Sequence, residues 1–215
     1  MRSLTQMLLA AACVLLSPLA TNGLAQTPAP SHKHYEKPPG YDQQAAPGAP
    51  LAPRLQNLGV HKFPVTTRSS RAQLFINQGI NLAYGFNHAE AVRAFAEAAR
   101  LDPDCAMAYW GQALALGPNI NAAMNADDEP KAHELTQKAI ALKPKATARE
   151  RAYIDALALR YTGKAADRQS ADRAFADAMR KLTETYRDDV DAKTIFAESL
   201  MDLRPWNYWT RDGQP

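Results

Sequence analysis

The chain has 215 residues and a formal net charge of +3, which is room for one or two soluble domains. So small a cationic excess, with both signs intermixed and no basic block, argues against nucleic acid or an anionic membrane surface as partner. Its two cysteines, Cys13 and Cys105, exclude a disulfide-framework protein.

Residues 1–25 have the pattern of a secretory signal. Arg2 provides a positive start, Met7 to Leu19 an apolar core, and Gly23-Leu24-Ala25 a small-x-small cleavage site. The apolar run is too short to cross a bilayer, so the mature chain has no transmembrane segment. Lipid attachment at Cys13 is disfavoured, because Ala10-Ala11-Ala12-Cys13 falls too early in that run. Cleavage after Ala25 removes Arg2 and no acid, so the net charge falls from +3 to +2. The expected protein is exported, periplasmic or secreted. Cys105 is then its single thiol, expected to be a small buried residue.

Residues 26–53 are rich in Pro, Ala and Gln with almost no aliphatic content, which predicts a flexible linker. His32 and His34 within it are expected to be solvated, since nothing rigid would hold them as metal ligands. Residues 54–71 contain Leu55, Leu58, Val60, Phe63 and Val65. They predict an extended lead-in packed against the first helix, which Ser69 or Ser70 would cap.

From Ala72 to Cys105 two apolar series run at helical spacing. Phe75, Gly79, Leu82 and Ala83 make the first; Ala91, Phe95, Ala98 and Leu101 make the second. The break is Gly85-Phe86-Asn87, with Gly85 suited to a left-handed helix end and Asn87 to an N-cap with Glu90 in capping-box position. Asp102-Pro103 stops the second helix. The result is a helical hairpin of about 34 residues, a known repeat period. Its aromatic–small–large pattern (Phe75, Gly79, Leu82) and its Ala91, Phe95 and closing Pro103 resemble the tetratricopeptide repeat, with Leu82 where that family commonly has tyrosine. The resemblance implies an all-α fold, a right-handed stack of antiparallel helical hairpins forming an α-solenoid.

The array is expected over 72–203. After 72–105 comes 106–146, where Tyr109, Ala113 and Leu116 echo the first hairpin and Gly117-Pro118 closes the helix. Its partner carries Ala132, Ala139 and Leu142 inward, with Asp127 or Asp128 as cap. A third hairpin spans 147–188, opening on a Thr147/Glu150 capping box. Tyr153, Leu157 and Tyr161 share a face of its first helix; Phe175, Ala178, Met179 and Leu182 lie on its second. A half repeat, 189–203, would turn Ile195, Ala197, Leu200 and Leu203 inward, and 204–215 form a tail with Trp206, Tyr208 and Trp209. An unpartnered last helix suggests the N-terminal part of a longer repeat protein, and several phrases resemble exported bacterial tetratricopeptide proteins.

No catalytic signature stands in a supporting context: there is no His-Glu-x-x-His, Gly-x-Ser-x-Gly, Cys-x-x-Cys or phosphate-cradling loop. No catalytic residue, metal ligand or cofactor is therefore assigned. In the resembled family the first helix of each hairpin lines a concave groove that binds a protein or peptide. Here that implies Gln73, Ile76, Asn77, Ile80 and Tyr84, then Met107, Trp110 and Leu114, with Arg151, Asp155, Thr194 and Glu198 further on. Of the Lys/Asn set that clamps a peptide carboxylate, only Asn77 matches, so an apolar or helical peptide is the better expectation. Equally open is that Ile76 and Ile80 are core and that residues 54–66 fill the groove in cis. A polar pocket from His88, Asn119 and Asn121 is a further candidate, against satisfied loop asparagines and an exposed histidine. His133 is expected to face solvent. The functional expectation is an exported scaffold for protein–protein interaction. The alternative is an enzyme or small-ligand protein whose site is completed beyond residue 215.

Overall fold

The computed structural model describes residues 48–163 and 168–214. The signal-like segment 1–25, His32, His34 and most of the linker lie outside them. The described residues are all-α. After an irregular stretch through Ser69 come α1 (Ser70–Tyr84), α2 (His88–Leu101), α3 (Ala106–Ala115), α4 (Glu129–Leu142), α5 (Ala148–Arg160), α6 (Arg168–Thr185) and α7 (Val190–Asp202). Consecutive helices pack on one another, and α1, α3 and α5 also touch in series.

Local chemistry sets most helix ends. Ser69 Oγ accepts from Ala72 N at 3.1 Å, satisfying one of the free donors of α1. Thr147 and Glu150 form the reciprocal capping box of α5, and Asp189 accepts from Ala192 N to cap α7. Three ends differ from the sequence reading. Asn87 sits at the N-cap of α2 but its side chain makes no capping bond, and the Glu90 carboxylate pairs with Arg93 at 2.9 Å instead of closing a capping box. Asp128 occupies the N-cap position of α4 but makes no side-chain capping bond, and Asn125 accepts from Asp127 N to start the 3-10 turn ahead of it. The left-handed residue after α1 is Phe86 (φ 59°), while Gly85 stays at φ −84°. The closing bond Asn87 N to Leu82 O, 2.8 Å, needs the reversal one residue later than glycine placement suggests.

Phe95 of α2 is fully buried. A Cβ placed on Gly79 would lie 2.7 Å from its ring, and one on Gly111 would be closer still. Two glycines, one on α1 and one on α3, thus make the slot that admits a single phenyl group between three helices.

α7 turns only part of the expected face inward, Ile195 but not Ala197 or Leu200. Asp191, Ala192, Ile195 and Ser199 are buried, whereas Ala197 is exposed and Leu200 is 40% exposed. The register is set by polar groups of other helices. Asp202 pairs with Arg160 at 2.7 Å, and Asp191 meets Tyr84 Oη at 2.9 Å.

Candidate functional site

Residues 51–68 run over α1 and across to α5, held along their length by side-chain hydrogen bonds. Gln73, Asn77 and Asn81 are spaced four apart on α1, about 6 Å along the axis. Two residues of extended chain advance about 6.6 Å. The match lets each amide bind every second residue of the crossing segment. Val65 N donates to Gln73 Oε1 at 3.0 Å, and Gln73 Nε2 donates to Phe63 O at 2.8 Å. Phe63 N donates to Asn77 Oδ1 at 3.0 Å, and Asn81 Nδ2 to His61 O at 3.0 Å. Gln73 also donates to Asn77 at 2.9 Å, linking two rungs of this ladder. Further upstream, Leu55 N donates to Gln78 Oε1 and Gln78 Nε2 to Pro53 O, both at 2.9 Å.

The side chain between these backbone bonds is Phe63, which has no exposed surface. Its ring stacks on Trp110 with centroids 5.6 Å apart and planes at 16°. It meets the edge of Tyr153 at 5.6 Å. Trp110 Nε1 donates to Tyr153 O at 3.2 Å, so the indole is held in place. The Arg149 guanidinium lies 4.9 Å from the Phe63 centroid and 5.1 Å from that of Tyr153. Such aromatic and cation contacts add to the burial energy. The segment is then clasped at its far end. Thr66 donates to Glu150 through N at 2.5 Å and Oγ1 at 2.7 Å. Thr67 Oγ1 and Arg68 N both donate to Asp102 Oδ2, at 2.5 and 2.9 Å. Burial alone would raise the Glu150 carboxyl, but donors from Thr66 and Thr147 outweigh it and hold the group below the usual range. Asp102 behaves likewise: burial pushes up, and Thr67, Arg68 and Asp104 pull it lower. At the other end His61 Nε2 lies 2.7 Å from Asp191 Oδ1.

Among the expected groove residues, Gln73 and Asn77 bind the crossing backbone, while Ile76, Ile80, Met107 and Trp110 are buried beneath or beside it. Tyr84 donates to Asp191, and its phenol is raised, by burial first and by Asp191 second. Leu114 is half-buried and lines a cavity of about 20 Å³ together with His88, Arg160, Glu198 and Asp202. That volume is about that of one water. His88 therefore comes to α7 and not to the asparagines. Both its ring nitrogens are buried without a partner, and burial lowers its pKa. Asn119 and Asn121 satisfy their own turn: Asn121 N donates to Asn119 Oδ1 at 2.9 Å, and Asn119 bridges to Ala122. Arg151 turns back to Ala146 O, Asp155 pairs with Lys143, and Thr194 is exposed on α7. His133 does not simply face solvent; its Nδ1 bonds Tyr161 O at 2.8 Å. Cys105 is buried and free, and burial pushes its thiol up to about 11.

Sequence reasoning missed Asn81, Gln78, Arg149, Glu150 and Tyr153 as contacts of the crossing segment. The amide spacing 73, 77, 81 was a usable signal, since three carboxamides on one helix line offer donors and acceptors to a passing backbone. No three His, Cys, Asp or Glu among the described residues come together as a metal would require. No described helix is long and apolar enough to cross a membrane. Compared with known proteins, the chain matches no family model, no curated protein and no solved structure.

Proposed function

We propose that this protein is an exported scaffold of the tetratricopeptide type, whose helix-lined face binds an extended segment of a protein partner. In the free protein residues 61–66 occupy that face. The observation that carries the reading is the amide ladder: Gln73, Asn77 and Asn81 take main-chain groups of alternate residues and leave side-chain identity to a pocket. Main-chain recognition of this kind accepts many sequences, which suits a scaffold. The series α1, α3, α5 and the size of the hairpins support the repeat reading, and the segment 1–25 supports export.

The test uses a labelled peptide of residues 58–68, offered to the mature protein and to Phe63→Ala, which empties the aromatic pocket while leaving the helices. Fluorescence anisotropy should show capture by Phe63→Ala and its loss in Phe63→Ala/Asn77→Ala, with helicity by circular dichroism unchanged in both. Lack of capture by a helical Phe63→Ala protein would refute the groove reading. Amino-terminal sequencing of protein from the cell envelope or medium should begin at Gln26; an intact Met1 terminus would refute export by cleavage.

A further inference from the structure

A second concave surface lies between residues 50–62 and the outer side of α1, a cleft of about 1150 Å³. Its walls are pinned rather than loose. Leu51 N donates to the buried Glu97 at 2.9 Å, Gln78 holds Pro53 and Leu55, and Asn81 holds His61. Asn57 and Gly59 adopt left-handed backbone, φ 62° and 92°, which shapes the rim between these anchors.

The lining has an uneven chemistry. Arg54, Lys62 and Arg71 contribute positive charge, and no Asp or Glu is among the residues that line the cleft. None of the three forms a salt bridge within the described residues, although the charge of Arg71 is felt by Glu97. Beside them stand exposed aliphatic side chains: Val60 at 94%, Leu74 at 46% and Leu55 at 37%. Some exposed cations elsewhere are paired with carboxylates, as in Lys131–Glu134 and Lys145–Asp104; what sets the cleft apart is that its three cations share one concavity with no acid in the lining. A group of unpaired cations around exposed aliphatics is complementary to a ligand of opposite charge with apolar side chains.

We infer that this cleft is a docking site for an acidic segment of a partner protein that presents aliphatic residues between its carboxylates. A bilayer fits less well, because the cations and aliphatics line a concavity and not a flat or convex face. Nucleic acid fits less well too, since Phe75, the one Phe, Tyr or Trp among the lining residues, is buried and offers no open face for bases to stack on. The inference requires residues 61–66 to remain in the groove, because His61 and Lys62 also line the cleft.

The experiment uses the whole mature protein and a labelled peptide in which leucine alternates with glutamate and aspartate. Saturable binding is expected at low salt, weakened by about tenfold or more in Arg54→Glu/Lys62→Glu and in Val60→Asp. All substituted side chains are exposed, so thermal unfolding should be unchanged. The same peptide with glutamine and asparagine in place of its acids should bind at least about tenfold more weakly. Absence of saturable binding, equal binding by the variants, or equal binding of the amide peptide would each overturn the inference. Binding to phosphatidylglycerol vesicles without binding to the acidic peptide would overturn it in favour of a membrane surface.

Discussion

Glu198 shows how a single side chain can report on its surroundings. Burial raises its carboxyl to about 7, with Asp202 pushing the same way and Arg160 opposing. Tyr84 of α1, His88 of α2, Phe175 of α6 and Ser199 of α7 complete its neighbourhood. Asp202 is raised too, by burial above all. The folded pKa of Glu198 lies above its unfolded value. Between those values the native state keeps a proton that the unfolded chain has released, so stability falls as pH rises through the window. Glu198→Gln should therefore raise the unfolding temperature relative to wild type at about pH 8 and leave it unchanged at about pH 4. Thermal unfolding at the two pH values checks this; an equal difference at both would show that the carboxyl does not titrate in that range. In the sequence Glu198 stands only as a further groove-facing position, with nothing to signal a raised carboxyl. It reads as one more acid on a helix, and its character comes from α1, α2 and α5, which no local pattern announces.

At the scale of elements, the three-helix slot for Phe95 depends on two glycines from different hairpins. Gly111→Ala should destabilise by about 1–3 kcal/mol, because an added methyl overpacks a filled site. Phe95→Leu frees some of that volume, so the double mutant should cost less than the sum by more than about 0.5 kcal/mol in urea titrations. Strict additivity would mean that Gly111 and Phe95 do not share the slot. Much of this element was readable in advance. Phe75, Gly79, Ala91 and Phe95 stand at helical spacing, and Thr147 and Glu150 form the capping box that their types suggest. α7 was not readable in the same way. Apolar residues occur on both its faces, and its inward carboxylates Asp191 and Asp202 are stabilised by Tyr84, His61 and Arg160, which are far away in sequence. The turn after α1 hides its cause as well, since Phe86 takes up the left-handed conformation beside an available glycine.

At the scale of the whole molecule, helices α1, α3, α5 and α7 are tied together by a segment that is not helical. Its aliphatic residues announced that it would pack somewhere, and the ladder that fixes its path could be read only as three carboxamides at four-residue spacing. The link to α5 through Glu150 and Arg149, and to α7 through Asp191, comes from tertiary placement alone. The sharpest measurement is amide hydrogen exchange across residues 58–68 of the mature protein, in wild type and in Asn77→Ala. Phe63, Val65 and Thr66 donate their N–H groups to Asn77, Gln73 and Glu150, so all three should be protected although they lie outside any helix. Asn77→Ala should release Phe63 first. Exchange of these three amides at the rate of an unstructured chain would contradict the cis-occupied groove on which the functional reading rests.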